Sequence, residues 1–460
     1  MSFVASPATA DRGPKLTLEG RGGPVACLLV VLLAFVVREY FVLVTVVDIP
    51  IRGDIREYVL YAWNLHYHHV FGLSPPDAPV AVPDAYRSPG YPWLLALCMA
   101  IRPSGFGWYA LALQVQVLLG TLTVWLTILL ARQWLAWGWA IAAGLLLTFW
   151  PHHVAATGAL LSEVTFGFSL MAGLVLSGIA LSRRSWSWAL GAGVAFGYAY
   201  LVNPLIALFP PLLAWLLWRQ VGRTASLCFG TVFLLAVAGF AIRNVQLPPP
   251  EHQVPGRAGV NFVQGSWPQY HAAWQSYVHG DPIGKAILDE IDDETRLVDA
   301  RPLEGMRVIG RRLTRDPLYY GLWYLWEKPL LLWDWEIRLG PGGEYVLVVR
   351  QSPLERNPTL RLIGGLLHRL NPLISLVALA AMVGLAWRWR KASTGAQAIG
   401  FATAVLGLYL TLIHDVFQAE PRYANAYRGI ELVMFVAGIC CALSWIRGKT
   451  SGRVTHNVTK

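Results

Sequence analysis

Along most of this chain, apolar runs of about 20 residues, the length that crosses a hydrocarbon core, alternate with short polar segments. The runs fall at 24–47, 106–131, 137–157, 159–182, 187–202, 204–218, 225–247, 366–387, 396–413 and 429–446. The two shortest flank Asn203-Pro204 and read equally well as a broken or re-entrant pair. Transmembrane barrel strands would be alternating segments of about 10 residues, which this pattern excludes. The predicted class is an all-α polytopic membrane protein.

Two polar stretches interrupt the pattern. In the first, 48–92, helical periodicity runs from Gly53 to His69, with Asp54, Tyr58, Tyr61 and Leu65 on one face and Ile55, Val59 and Ala62 on another. A helix lying along the membrane plane is expected there. Pro75, Pro76, Pro79 and Pro83 then exclude regular structure, and Tyr91 to Ile101 predicts a second interfacial helix stopped by Arg102-Pro103. The second stretch, 248–360, opens on Pro248, Pro249 and Pro250, holds most of the acids, and predicts a small extramembrane domain. Its segment from Arg301 to Trp335 is amphipathic and Trp-rich, as suits a bilayer surface.

Charge gives the pattern a direction. Only 14% of residues are charged, against about 25% in soluble domains. The net charge of +10 lies in short clusters between apolar runs, so it reflects the positive-inside rule and not nucleic-acid binding. Arg12, Lys15 and Arg21, then Arg132, Arg183-Arg184, Arg219 and Arg223, Arg388, Arg390 and Lys391, and finally Arg447, Lys449 and Arg453 all fall on one side, taken as cytoplasmic. The predicted organisation is a tail at 1–23, a transmembrane module at 24–247 carrying the outer loop 48–92, a periplasmic domain at 248–360, transmembrane helices at 361–446, and a tail at 447–460. The first run is too long for the core of a cleaved signal peptide and is expected to be retained. Asp54, Arg87, His152, Glu163, Arg243 and Arg422 then converge on the outer face.

Asp54 can serve as a general base or merely cap a helix after Gly53. Glu57 can be a surface partner of Arg56 or Arg87, or a second acid. Glu163 heads an apolar run, where an acid is costly and functional by default, although a helix N-terminus also favours it. Arg87, Arg243 and Arg422 can converge on one phosphate or snorkel separately to lipid headgroups. His66, His68, His69, His152 and His153 lack a strong zinc spacing, so no metal is assigned. Cys27, Cys98, Cys228, Cys440 and Cys441 read as small hydrophobes. The sequon at Asn457 falls in the predicted cytoplasmic tail. Phosphate-loop, dinucleotide and serine-esterase motifs are missing.

The order of motifs resembles a known family. G-D-x-x-x-Y-x-x-x-A-x-N-L follows the first run, then come A-Y-R-S-P-G-Y-P, L-S-E heading a later run, R-N after another, and E-P-R-Y before the last. This arrangement, over about residues 24–446, resembles the bacterial GT-C glycosyltransferases, in the branch of protein O-mannosyltransferases and the aminoarabinose and galacturonic acid transferases of lipid A and its core. The resemblance implies about 10–13 spans and an inverting transfer from a polyprenyl-phosphate sugar to a hydroxyl of a lipid, glycan or protein acceptor. It also implies a multi-pass protein of the bacterial inner membrane with its site facing the periplasm. Asp54 and Glu163 match the family's catalytic acids and Arg87 its donor-phosphate contact, with Arg243 and Arg422 joining that role. Tyr58, Tyr86, His152 and Tyr423 are the expected substrate contacts. The chain departs in having Ile55 where an acidic pair is common, and A-N-A-Y-R-G-I-E after Arg-Tyr. A monomer is expected, with no nucleic-acid partner; a divalent metal has no support from the residues. A transporter or flippase of lipid-linked sugars, and a surface-polysaccharide ligase or polymerase, are the rival readings; the first would favour internal repeats and midplane charges, which are not evident.

Overall fold

The computed structural model describes residues 21–247 and 256–456. The residues 1–20, the triple proline at 248–250 and the sequon at 457 lie outside these. The protein is an all-α polytopic membrane protein. Helices α1 (Gly22–Val44), α2 (Asp54–His68), α3 (Gly90–Ile101), α4 (Gly107–Arg132), α5 (Trp137–Thr148), α6 (Pro151–Ala155), α7 (Glu163–Arg183), α8 (Trp186–Val202), α9 (Pro210–Gln220) and α10 (Arg223–Val245) make the first part. Four short helices follow: α11 (Arg257–Gly265), α12 (Tyr270–Val278), α13 (Pro282–Ala300) and α14 (Pro302–Arg315). Then come α15 (Pro317–Leu322), α16 (Lys328–Leu332), α17 (Pro353–Arg356), α18 (Pro358–Arg388), α19 (Gly395–Val416), α20 (Pro421–Ala424) and α21 (Arg428–His456).

Among the described residues seven helices are long and apolar enough to cross a membrane: α1, α4, α7, α10, α18, α19 and α21. The remaining three of the ten expected spans are short. The run 137–157 breaks at Pro151, whose ring removes an amide donor and biases Trp150 away from helix. The 12 residues of α5 reach only about 18 Å. The run 204–218 becomes a 3-10 turn at Pro204–Ile206 and then α9 of 11 residues. Prolines thus turn apolar composition into broken, packed elements.

A broken helix inside an apolar bundle leaves carbonyls without partners, a costly condition away from water. Arg38 of α1 answers it. It is fully buried, donates to the carbonyls of Leu147 (3.2 Å) and Thr148 (3.5 Å) at the end of α5, and meets His153 Nδ1 at 2.8 Å. This arginine has no carboxylate partner among the described residues; its charge is spread over helix-end carbonyls, which carry partial negative charge. One face of α1, with Leu28, Leu29, Leu32 and Val36, stays exposed where lipid would cover it.

The described part of the polar stretch 248–360 folds over one end of the bundle. Its helices α11–α14 surround a small core of Val263, Tyr270, Ile291 and Ile309. Buried Lys328 fastens it to α19, donating to the carbonyls of Gly265 (2.9 Å), Phe417 (2.6 Å) and Asp415. A two-stranded antiparallel pairing of Val46–Val47 with Val349–Gln351 ties the same region to the end of α1. The predicted helices at 53–69 and 91–101 match α2 and α3 to within a residue.

Replacing Arg38 with Met keeps the volume but strands the α5 carbonyls. Thermal unfolding in detergent should show Arg38→Met destabilised by about 1–3 kcal/mol; an unchanged midpoint would mean those carbonyls find other partners.

Candidate active site

Asp54 is the first residue of α2, placed there by Gly53, whose φ of 53° and ψ of −134° suit only glycine. The chain therefore turns sharply and presents the carboxylate at the start of the helix. Its Oδ1 accepts from Arg87 Nη2 at 2.6 Å and its Oδ2 from Arg422 Nη2 at 2.8 Å. The two arginines lie 335 positions apart in sequence (87 and 422) and meet on one carboxylate. Arg87 also donates through Nε to Glu57 Oε2 at 2.6 Å and lies 4.8 Å above the Tyr58 ring. Arg422 pairs with Glu163 Oε1, 3.0 Å from Nε, and lies over Tyr423. Three carboxylates thus hold two nearly buried guanidiniums.

This arrangement splits the acids. Burial would push the Asp54 carboxyl up, but Arg422 and Arg87 outweigh it and hold it well below the usual carboxylate range. For Glu57 burial wins, and its carboxyl is pushed up despite Arg87. Asp54 is thus ionised in the ligand-free protein and, so held, is a weak base.

Arg87, Glu163 and Arg422 of this cluster line the polar end of a cavity of about 500 Å³, whereas Asp54 and Glu57 are not among its lining residues. Tyr58, Tyr86, Arg87, Glu163, Arg422 and Tyr423 line that end, while Val202, Leu205, Leu208, Phe240, Ile413 and Phe417 line the other. The break at Asn203-Pro204 opens the apolar end between α8, α10 and α19. Behind the polar end, Tyr58 Oη meets Ser162 Oγ at 3.2 Å, and its ring meets Tyr91 edge-on. Tyr91 donates to Gln116, and Gln116 donates to the carbonyls of Thr157 and Ala159. These bonds fix the wall that carries Glu163.

The 70–89 loop has no regular structure yet is held firmly. Asp84 accepts from Leu73 N (2.7 Å), Tyr86 N (3.0 Å) and the Tyr61 hydroxyl. Asn64 donates to the carbonyls of Gly72 and Ser74. Arg243 donates to the carbonyls of Phe71 (2.7 Å) and Asp84 and lies over the Phe71 ring. At the end of this loop α3 begins, with Gly90 packed so closely that a Cβ would lie 2.7 Å from the Val202 amide nitrogen of α8.

Most of the expected site residues meet here: Asp54, Glu163, Arg87 and Arg422 with Tyr58, Tyr86 and Tyr423. Two do not. Arg243 lies outside the cavity lining because its guanidinium is occupied by the loop carbonyls. His152 is fully buried elsewhere, bonded through Nε2 to the Trp335 carbonyl at 2.6 Å with its ring against Trp335. Glu57, weighed as a partner of Arg56 or Arg87 or as a second acid, pairs with Arg87 and is part of the cluster. Three contributors had no clear sequence signal: His414, stacked on Tyr423, and Arg257 and Asn261, brought to the cavity by α11. The break at Asn203-Pro204 was visible, but its meaning depended on what faced it. Among the described residues no group of three or more His, Cys, Asp or Glu side chains is placed to hold a metal ion.

Residues 86–245 match the family model of dolichyl-phosphate-mannose-protein mannosyltransferases. That stretch covers less than half of the chain; it includes Arg87 and Glu163 and leaves out Asp54, Glu57 and Arg422. No curated protein matches the sequence. Among solved structures, the chain is similar to the archaeal oligosaccharyltransferase AglB from Archaeoglobus fulgidus in complex with an inhibitory peptide and a dolichol-phosphate, at 12% identity and a TM-score of 0.45 over 95% of this chain. It spans about half of that protein, 52% of its length. It is also similar to ArnT from Cupriavidus metallidurans bound to undecaprenyl phosphate, at 16% identity and a TM-score of 0.37, over 86% of this chain and 78% of that one.

Two measurements test this assignment of roles. Arg243→Gln should speed limited proteolysis within 71–87, whereas Arg87→Gln should weaken retention of a lipid phosphate with a smaller change in proteolysis; the reverse pattern would exchange their roles. The second concerns acid stability. The unfolded Asp54 protonates near pH 3.9 and the folded one lower, so its stabilisation is present above about pH 3.9 and is lost as pH falls through the depressed folded value. The stability difference between wild type and Asp54→Asn should therefore be flat from pH 5 to 8 and shrink below about pH 4. A difference that shrinks between pH 5 and 7 would mean that the arginines do not hold Asp54 down.

Proposed function

We propose that this protein is an inverting glycosyltransferase. It would move a sugar from a polyprenyl-phosphate donor to a hydroxyl of an envelope acceptor, at the periplasmic face of a bacterial inner membrane. The observation that carries this reading is a pair of arginines, bridged by the Asp54 carboxylate, lining a cavity that also presents a set of apolar side chains. The apolar end suits a polyprenyl chain entering from the lipid. The two guanidiniums suit its phosphate, since arginine stays charged and meets phosphate oxygens with paired donors. The family match over 86–245 supports the same class of donor.

In the reaction the acceptor oxygen forms a bond to the anomeric carbon as the bond from that carbon to the phosphate oxygen breaks. The lipid phosphate leaves with the electron pair, and the acceptor proton passes to Asp54. The strongest need is to stabilise charge developing on the leaving phosphate, and Arg87 and Arg422 are the groups suited to it. Glu57 and Glu163 would hold those arginines in orientation through their ion pairs.

Asp54, held as it is, is too weak a base for a hydroxyl. An arriving phosphate competes for the same guanidiniums. As they turn toward it, Asp54 loses its two counter-charges and its basicity rises. Donor binding would thereby activate the base, and a site without donor would waste no reactive carboxylate on water.

Asp54→Asn should reduce transfer by about 10²–10⁴-fold while leaving donor retention within a few-fold. The check is transfer of sugar from a synthetic polyprenyl-phosphate donor, followed by mass spectrometry of the envelope glycolipids. Near-normal turnover in this variant would reject Asp54 as the base.

A further inference from the structure

A second cavity, of about 460 Å³, lies at the other end of the bundle. Helix α7 links the two places. Glu163 at its first residue lines the candidate active site, while Leu181 and Ser182 near its last residue line the second cavity. Its 21 residues separate them by about 30 Å, one hydrocarbon thickness. Helix α19 repeats the relation in reverse, from Gly395 to His414. The second cavity therefore opens at the opposite membrane face.

Its charge is one-sided. Arg184, Arg219 and Arg390 line it, and no acid does. The helices that form it come from stretches without any acid, since none lies between Glu163 and Glu251 or between Glu355 and Asp415. Among the described residues none of these three arginines forms an ion pair. Instead Arg219 lies over Trp215 at 5.2 Å and Arg390 over Trp387 at 4.1 Å. Beneath them Trp389 and Phe401 supply an apolar wall. The positive-inside bias explains basic residues at this face, but it does not gather three of them, from three separate chain segments, around one half-apolar cavity.

Arg184 adds an independent sign. It ends α7 in the left-handed conformation, with φ 51° and ψ 46°. Glycine is the ordinary residue there, and a side chain at such a position is strained.

We propose that this cavity binds the phosphate head of an anionic membrane lipid, at the face opposite the candidate active site. The three guanidiniums meet the phosphate and the aromatic wall meets the first carbons of the acyl chains. Basic pockets between transmembrane helices take anionic headgroups in this way. The proposal does not depend on which reaction the distant site performs.

The test uses the full-length protein in detergent, with native mass spectrometry after mixing with phosphatidylglycerol or phosphatidylcholine. Phosphatidylglycerol should be retained several-fold over phosphatidylcholine, and each arginine removed should cost about fivefold. Arg184→Gly separates binding from folding, because glycine suits the left-handed position. It should lose lipid retention while its melting temperature stays equal or rises. Arg219→Gln should lose retention similarly. Equal retention of both lipids, or unchanged phosphatidylglycerol retention in these variants, would overturn the proposal. Millimolar inorganic phosphate displacing the lipid completely would overturn the lipid assignment and leave a site for a free anion.

Discussion

The structure turns on one shared carboxylate. Asp54 bridges Arg87, from the loop after α2, and Arg422, from the segment between α19 and α21. Nearly buried guanidiniums in a poorly polarisable setting must be neutralised, and leaving one unpaired costs several kcal/mol. The bridge therefore constrains distant parts of the chain to one arrangement. Glu57 and Glu163 complete the neutralisation and hold each arginine from a second side. An array in which every guanidinium is already occupied suits a site whose ligand is itself an anion. A phosphate replaces carboxylate contacts without asking for new positive charge.

A similar economy governs the scaffold. Proline breaks α5 and the segment after α8, and each break creates something useful. At α5, Arg38 covers the exposed carbonyls and locks α1 against the bundle. At Asn203-Pro204, the shortened helix leaves the apolar end of the cavity open. Helices α11–α14 are pinned down by Lys328 in the same manner as α5, through a buried cation on backbone carbonyls. Cations capping helix ends and carbonyl clusters are a recurring solution here, because a membrane interior offers no water for those groups.

The arginines illustrate how far sequence reasoning reaches. Arg87, Arg243 and Arg422 looked equivalent: each follows or precedes an apolar run at the outer face. Tertiary structure separates them. Arg243 is saturated by the carbonyls of Phe71 and Asp84 and acts as a clamp on the loop that carries Arg87. His152 looked like an outer polar residue and is instead buried against Trp335. Glu57 could have paired with Arg56 or Arg87 or acted as a second acid; it meets Arg87, because Asp54 and Glu57 are one turn apart and face the same guanidinium.

What the sequence by itself determined is the all-α polytopic class and the α2 and α3 segments. These depend on local composition and periodicity, which act over a few turns of chain. Tertiary structure alone decided which arginine meets a carboxylate instead of a carbonyl. It also brought Arg257 and Asn261 of α11 to the cavity, and grouped Arg184, Arg219 and Arg390 around a second one. Those outcomes depend on contacts between segments distant in sequence, 33 residues for Asp54 with Arg87 and 368 for Asp54 with Arg422. They are selected by the cost of leaving a buried charge or carbonyl unpaired, and no local pattern records that cost.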